Sequence, residues 1–117
     1  MSKIFGIGTD IVEVKRFEEK PYQENVDFYK KIFLSSEIKY CLKFKFPAEH
    51  FAGKFAIKES TKKAISENIE FLDIETYHDK QKPKIRVISE NSNNYYFMCS
   101  ISHEKNYAIG FVVAFCD

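Results

Sequence analysis

The C-terminal run from Tyr107 to Phe115, YAIGFVVAF, has no charged residue and limits the fold more than any other stretch. Side chains alternate across a strand, so a run like this is apolar on both faces. It belongs in a sheet covered on both sides, by helices or by a neighbouring copy of the chain. Ile4 to Val14 reads as a second strand, interrupted only by Thr9, Asp10 and Glu13. Tyr96 to Ser102 is a third, joined to the last by the turn HEKN. Phe71–Tyr77 and Lys84–Ser89 flank the polar turn HDKQKP, and Asn91 to Asn94 is a loop or one helical turn.

Helical spacing fills the remainder. Phe28, Ile32 and Phe33 mark a helix within Val26–Leu34. Ser35 or Ser36 N-caps the next, with Glu37 in its first turn and an end near Phe46. Pro47 stops that helix and opens another, Ala48 to about Glu67, with Asn68 at its end. Phe51, Ala52, Phe55, Ala56 and Ala64 recur on one face of it. This order predicts an α+β fold: an antiparallel sheet packed with helices, in one domain spanning 1–117.

Composition narrows the function classes. Eighteen Lys and Arg against 17 Asp and Glu exclude a polyelectrolyte binder of nucleic acid, although lysines crowd Lys39 to Lys63 and Lys80 to Lys84. Cys41, Cys99 and Cys116 show no metal spacing and are odd in number, which predicts reduced thiols in a cytoplasmic protein. No apolar run approaches membrane-spanning length. The 12 Phe and 7 Tyr are a surplus, and they predict apolar surface covered by another subunit or a ligand.

Three places carry possible chemistry. In GIGTDIVEV the glycines resemble a nucleotide loop, but a third glycine and an immediate helix are missing. They read instead as part of a strand, where glycines permit close approach of another backbone or a bulge. Asp10 inside that strand must meet water, a cation or donors at a strand end. Second, Lys54, Lys58 and Lys62 form an i,i+4 stripe beside the pair Glu59 and Lys63. That pattern is either a solvated helix face or an anion site whose one carboxylate holds a divalent cation. Third, Ser102 and His103 sit at a strand end. Adjacent strand residues face opposite ways, so they do not easily form a nucleophile–base pair; His103 reads as a polar surface residue at a turn or as a contact to a phosphate or hydroxyl.

Taken in order, GIGTDIVEVKRF, FAGKFAIKESTKKAI and SISHEKNYAIGFVVA resemble the three blocks of the holo-acyl-carrier-protein synthases. These are the small, single-module class of 4′-phosphopantetheinyl transferases, and the resemblance spans nearly the whole chain. It implies the phosphopantetheinyl transferase fold and transfer of phosphopantetheine from coenzyme A to a serine of apo-acyl carrier protein, releasing adenosine 3′,5′-bisphosphate. It implies Asp10 and Glu59 as Mg²⁺ ligands, with Glu59, or a water on the metal activated beside it, as the base. Lys63 would stabilise the leaving bisphosphate; Lys45, Lys54 and His103 would bind coenzyme A. Lys15 and Arg16 would meet the acidic carrier protein. The family usually works as a homotrimer with sites between subunits.

The chain also departs from the pattern. Ser60 follows Glu59 where alanine is common, and Lys54 stands where arginine is common. SENIEFLDIETY and DKQKPKI lack glycines usual there, and Glu104 replaces a small hydroxyl residue. Two other function classes fit the same acids and lysines. One is a non-catalytic coenzyme A or carrier-protein binding module; the other is a small metal-dependent nucleotide hydrolase.

Overall fold

The computed structural model describes residues 3–88 and 94–116. Its strands are β1 (Lys3–Glu13), β2 (Ile74–Asp79), β3 (Lys82–Val87), β4 (Tyr95–His103) and β5 (Tyr107–Cys116). Its α-helices are α1 (Lys15–Glu18), α2 (Val26–Lys30), α3 (Ser35–Leu42) and α4 (Pro47–Ile65). β1, β5 and β4 form an antiparallel sheet in that order, and β2 and β3 form a hairpin. The expected α+β architecture is present. Ser89 and Asn91 to Asn93 lie outside the described residues.

The long helix α4 is the organising element. Pro47 opens it at a position that needs no amide hydrogen. It lies on the sheet at unusually short range. A Cβ built on Gly8 would stand 1.9 Å from the Ser60 carbonyl oxygen, and one on Gly6 would stand 2.0 Å from that of Ala64. These glycines therefore bring strand backbone against helix backbone, and the β1–β5 register also shifts between Ile4 and Gly6, so both sequence readings of the glycines have a counterpart.

Several boundaries differ from expectation. Helix α3 is not capped by serine: the Glu37 carboxylate accepts the Leu34 amide at 2.7 Å, and the helix ends at Leu42 rather than Phe46. Helix α2 stops at Lys30, and α4 stops at Ile65 because Ser66 turns left-handed (φ 53°). The β2–β3 turn is made without glycine. Lys80 and Gln81 both adopt positive φ, 51° and 70°, a conformation that costs a side-chain-bearing residue roughly 1–2 kcal/mol.

The aromatic surplus divides in two. Phe17, Tyr29 and Phe33 are buried together with Phe51 of α4, with Tyr29 and Phe51 ring centroids 4.6 Å apart. The remainder shows the limit of one chain. Ala108, Val112 and Ala114 of β5 are buried against α4, but Ile109 and Phe111 on the other face are 43% and 44% exposed. Ile7, Ile11, Met98 and Tyr96 extend that open apolar face across β1 and β4. Only one face of the sheet is covered within the chain.

Candidate active site

Helix α4 carries two charged groups on opposite flanks. At about 100° per residue, Lys54 and Lys63, nine positions apart, point in opposite directions. The Lys63 ammonium reaches β1, donating to the Thr9 carbonyl at 2.9 Å and lying 3.4 Å from Asp10 Oδ1. Asp10 belongs to the helix-facing side of β1, opposite Gly110, and its side chain is 20% exposed. Glu59 is one turn before Lys63 and half-buried. Among the described residues no hydrogen bond or ion pair engages its carboxylate. Arg16 of α1 lies over the Phe55 ring at 5.3 Å, one turn before Glu59, and Lys15 beside it is exposed.

The residues on this flank fit a hard divalent cation. Asp10 and Glu59 supply carboxylate oxygens from neighbouring elements, and no group of three His, Cys, Asp or Glu forms a metal cluster among the described residues. Two carboxylates leave most of a coordination shell to phosphate and water oxygens, the arrangement magnesium takes.

The other flank is built differently. Lys58 is fully buried, its ammonium 2.7 Å from Glu37 Oε1 and donating to the carbonyls of Ile32, Phe71 and Ile74 at 2.9–3.0 Å. Lys54, 2% exposed, donates to the Thr76 hydroxyl at 3.0 Å and to its carbonyl at 3.2 Å. Lys62 lies over Phe71 at 3.6 Å. Both sequence readings of the lysine stripe, solvated face or anion site, thus need correction for Lys58. Its stem crosses the interior and its charge ends on Glu37, where it ties α3, α4 and β2 together. Burial holds both the Lys54 and Lys58 ammonium groups below the usual lysine range, with Glu37 partly offsetting the effect.

Lys54 lines a cavity of about 270 Å³ with Tyr40, His50, His78, Gln81 and His103. The His50 and His103 rings meet edge to face at 5.5 Å, and His78 stacks on Tyr40 at 4.7 Å. His78 Nδ1 is buried with no hydrogen-bond partner among the described residues. Burial lowers the His50 and His78 pKa values, with His103 adding to the first and Lys54 to the second. Cys99 also borders the cavity, but burial pushes its thiol to about 11, so it is protonated at neutral pH. The Glu104 amide, the other donor near His103, is engaged by the Tyr107 carbonyl.

The structure thus joins Asp10 and Lys63 on one flank, with Glu59 one helical turn before Lys63, and lines one cavity with Lys54 and His103 on the other. Lys45 is with neither group: it borders a larger apolar cavity of about 610 Å³ beside Phe46, Pro47 and Lys105. Sequence reasoning missed Glu37, Thr76, His50 and His78. Glu37 looked like a first-turn acid, and nothing in the turn HDKQKP marked His78.

Known proteins resemble the chain closely. Residues 6–112 match the family model described as the 4′-phosphopantetheinyl transferase superfamily. A holo-[acyl-carrier-protein] synthase of Protochlamydia amoebophila is 35% identical, the match covering 92% of this chain and 95% of that one. One from Pelagibacter ubique is 38% identical, covering 95% and 96%. Among solved structures, a Bacillus anthracis holo-(acyl-carrier-protein) synthase in complex with CoA (3′,5′-ADP) superposes with a TM-score of 0.82. It is 32% identical, covering 97% of this chain and 98% of that one. The Helicobacter pylori synthase in complex with coenzyme A gives 0.79 at 34% identity, covering 92% and 98%. No helix among the described residues is long and apolar enough to cross a membrane.

Proposed function

The chain belongs to the holo-acyl-carrier-protein synthases of the 4′-phosphopantetheinyl transferase superfamily, and from that premise we propose how its own residues carry the transfer. Phosphopantetheine passes from coenzyme A to a serine hydroxyl of apo-acyl carrier protein. The serine oxygen bonds to the phosphorus that bears the pantetheine arm, the bridging P–O bond breaks, and adenosine 3′,5′-bisphosphate departs. The observation that carries this reading is the open flank of α4, where Lys63 contacts Asp10 and Glu59 stands one turn away.

Phosphoryl transfer asks a protein mainly for positioning and electrostatic stabilisation. Asp10 and Glu59 are the residues that would hold Mg²⁺, which supplies neutralisation of the diphosphate charge. Glu59 takes the proton of the serine hydroxyl onto a carboxylate oxygen. Lys63 offers its ammonium to the oxygen that gains charge as the bond breaks. Lys15 and Arg16 orient the acidic carrier. Lys54, His103 and Lys45 contribute cationic or hydrogen-bonding groups toward coenzyme A.

The division of these groups supports a homotrimer. Lys54 and His103 lie on the flank away from Asp10, so one coenzyme A would be held by the acid flank of one subunit and the histidine cavity of another. Association over Ile7, Ile11, Met98, Ile109 and Phe111 would also cover the apolar sheet face that one chain leaves open.

Incubation with coenzyme A, Mg²⁺ and apo-acyl carrier protein, followed by mass spectrometry of the carrier, tests the reading. A carrier heavier by one phosphopantetheine is expected, and an unchanged carrier would sink it. Bisphosphate released without carrier would indicate the hydrolase class. Coenzyme A binding without turnover would indicate a binding module.

A further inference from the structure

The buried polar group behind the histidine cavity has an unbalanced charge. Lys54, Lys58 and Glu37 are 2%, 0% and 1% exposed, so two ammonium groups stand against one carboxylate. Lys58 takes Glu37 Oε1 directly. Lys54 reaches the same carboxylate only through Thr76, whose hydroxyl lies 2.6 Å from Glu37 Oε2. An ammonium can only donate, so the Thr76 oxygen accepts from Lys54 and passes its own hydrogen to Glu37. The Thr76 amide also donates to Oε2, at 2.8 Å, which fixes the residue from two sides. Glu75, the adjacent acid on β2, is engaged by Arg86.

Lys54 thus spends two of its three hydrogens on Thr76, while the Tyr40 ring packs against the ammonium at 4.7 Å. One N–H remains, and Lys54 lines the cavity together with Tyr40, His50, His78 and His103. A surplus buried cation beside a cavity lined by three histidines suits an anion.

We propose that Thr76, clamped by Glu37, is a positioning residue that aims Lys54 at a phosphate of the co-substrate entering this cavity. The inference rests on the transferase reading above. It extends that reading to a residue that touches no substrate and to a relay, Lys54–Thr76–Glu37, that sets the direction of the one remaining donor.

Thr76→Val keeps the side-chain shape and removes the hydroxyl. It is expected to raise KM for coenzyme A about tenfold, with kcat and KM for the carrier near wild type; Thr76→Ser should restore the wild-type value. Unchanged KM for coenzyme A in Thr76→Val overturns the proposal, as does an equal rise in both KM values. In a Lys54→Ala background the valine substitution should add nothing, and a further tenfold rise would also refute it. An independent measurement needs no variant. In ¹⁵N-lysine-labelled wild-type protein, the Lys54 ammonium resonance should move as coenzyme A is titrated, and a stationary resonance at saturation overturns the aim assigned to it. If wild-type protein binds no coenzyme A by calorimetry, the transferase reading itself has failed, which is a different result from a silent Thr76→Val.

Discussion

The two flanks of helix α4 use the same residue types for opposite ends. On one, Lys58 and Glu37 form an ion pair inside the protein, with every ammonium hydrogen directed at an oxygen of α3, β2 or their connections. On the other, Lys63 and Asp10 meet at 3.4 Å with the lysine side chain 54% exposed, and Glu59 stands one helical turn before Lys63. Burial makes the first pair expensive to break and of no use to a ligand. Partial exposure makes the second weak as a brace and available for chemistry. A charged residue's purpose on this helix is set by what covers it.

Substitutions at Glu59 and Lys58 should separate the flanks most clearly. Glu59→Ala is expected to lower turnover by about 10³-fold while chemical denaturation stays near wild type; retained activity would remove its metal and base roles. Lys58→Met should do the reverse. It leaves the Glu37 carboxylate buried without its cation and costs about 3–5 kcal/mol of unfolding free energy, read from a urea midpoint, while folded molecules keep their kcat. A small loss there would show that the buried flank is less of a brace than its geometry indicates.

Arg16→Glu is a smaller perturbation of the open flank. It should raise KM for the carrier about tenfold and leave that for coenzyme A unchanged, and parallel changes would contradict a docking role. The smallest effect is one of pH on the cavity flank. Burial lowers the His50 and His78 pKa values in the folded protein relative to the usual 6.5. Below pH 6.5 the unfolded chain therefore takes up protons first, so stability is full above that pH and falls as pH drops toward the folded values. Melting at pH 5 should be lower than at pH 7, and the gap should shrink in His50→Phe. A gap of unchanged size would assign it to other groups.

How much of this was readable beforehand differs between the flanks. Asp10 and Glu59 stand out because a carboxylate in an apolar strand and an acid among lysines each break a local pattern. The α4 start was legible from Pro47, and β5 from its unbroken apolar run. The buried network was not. Glu37 obeys every local rule for a first helical turn, and its partners Lys58 and Thr76 arrive from α4 and β2. Whether a lysine at i,i+4 spacing ends in solvent or on a distant carboxylate is decided by tertiary cover. Helix ends were lost for a related reason: Ser66 adopts a left-handed backbone that its residue type does not announce.

The contact of Gly6 and Gly8 with the carbonyls of Ala64 and Ser60 has a mechanical consequence. Where two elements meet through side chains, rotamer changes let the gap between them breathe. Here main chain rests on main chain, and no side chain intervenes to yield. The distance from the backbone of Asp10 to that of Glu59 is therefore gauged by the thickness of the polypeptide itself, and the acid flank is set to width before anything binds in it.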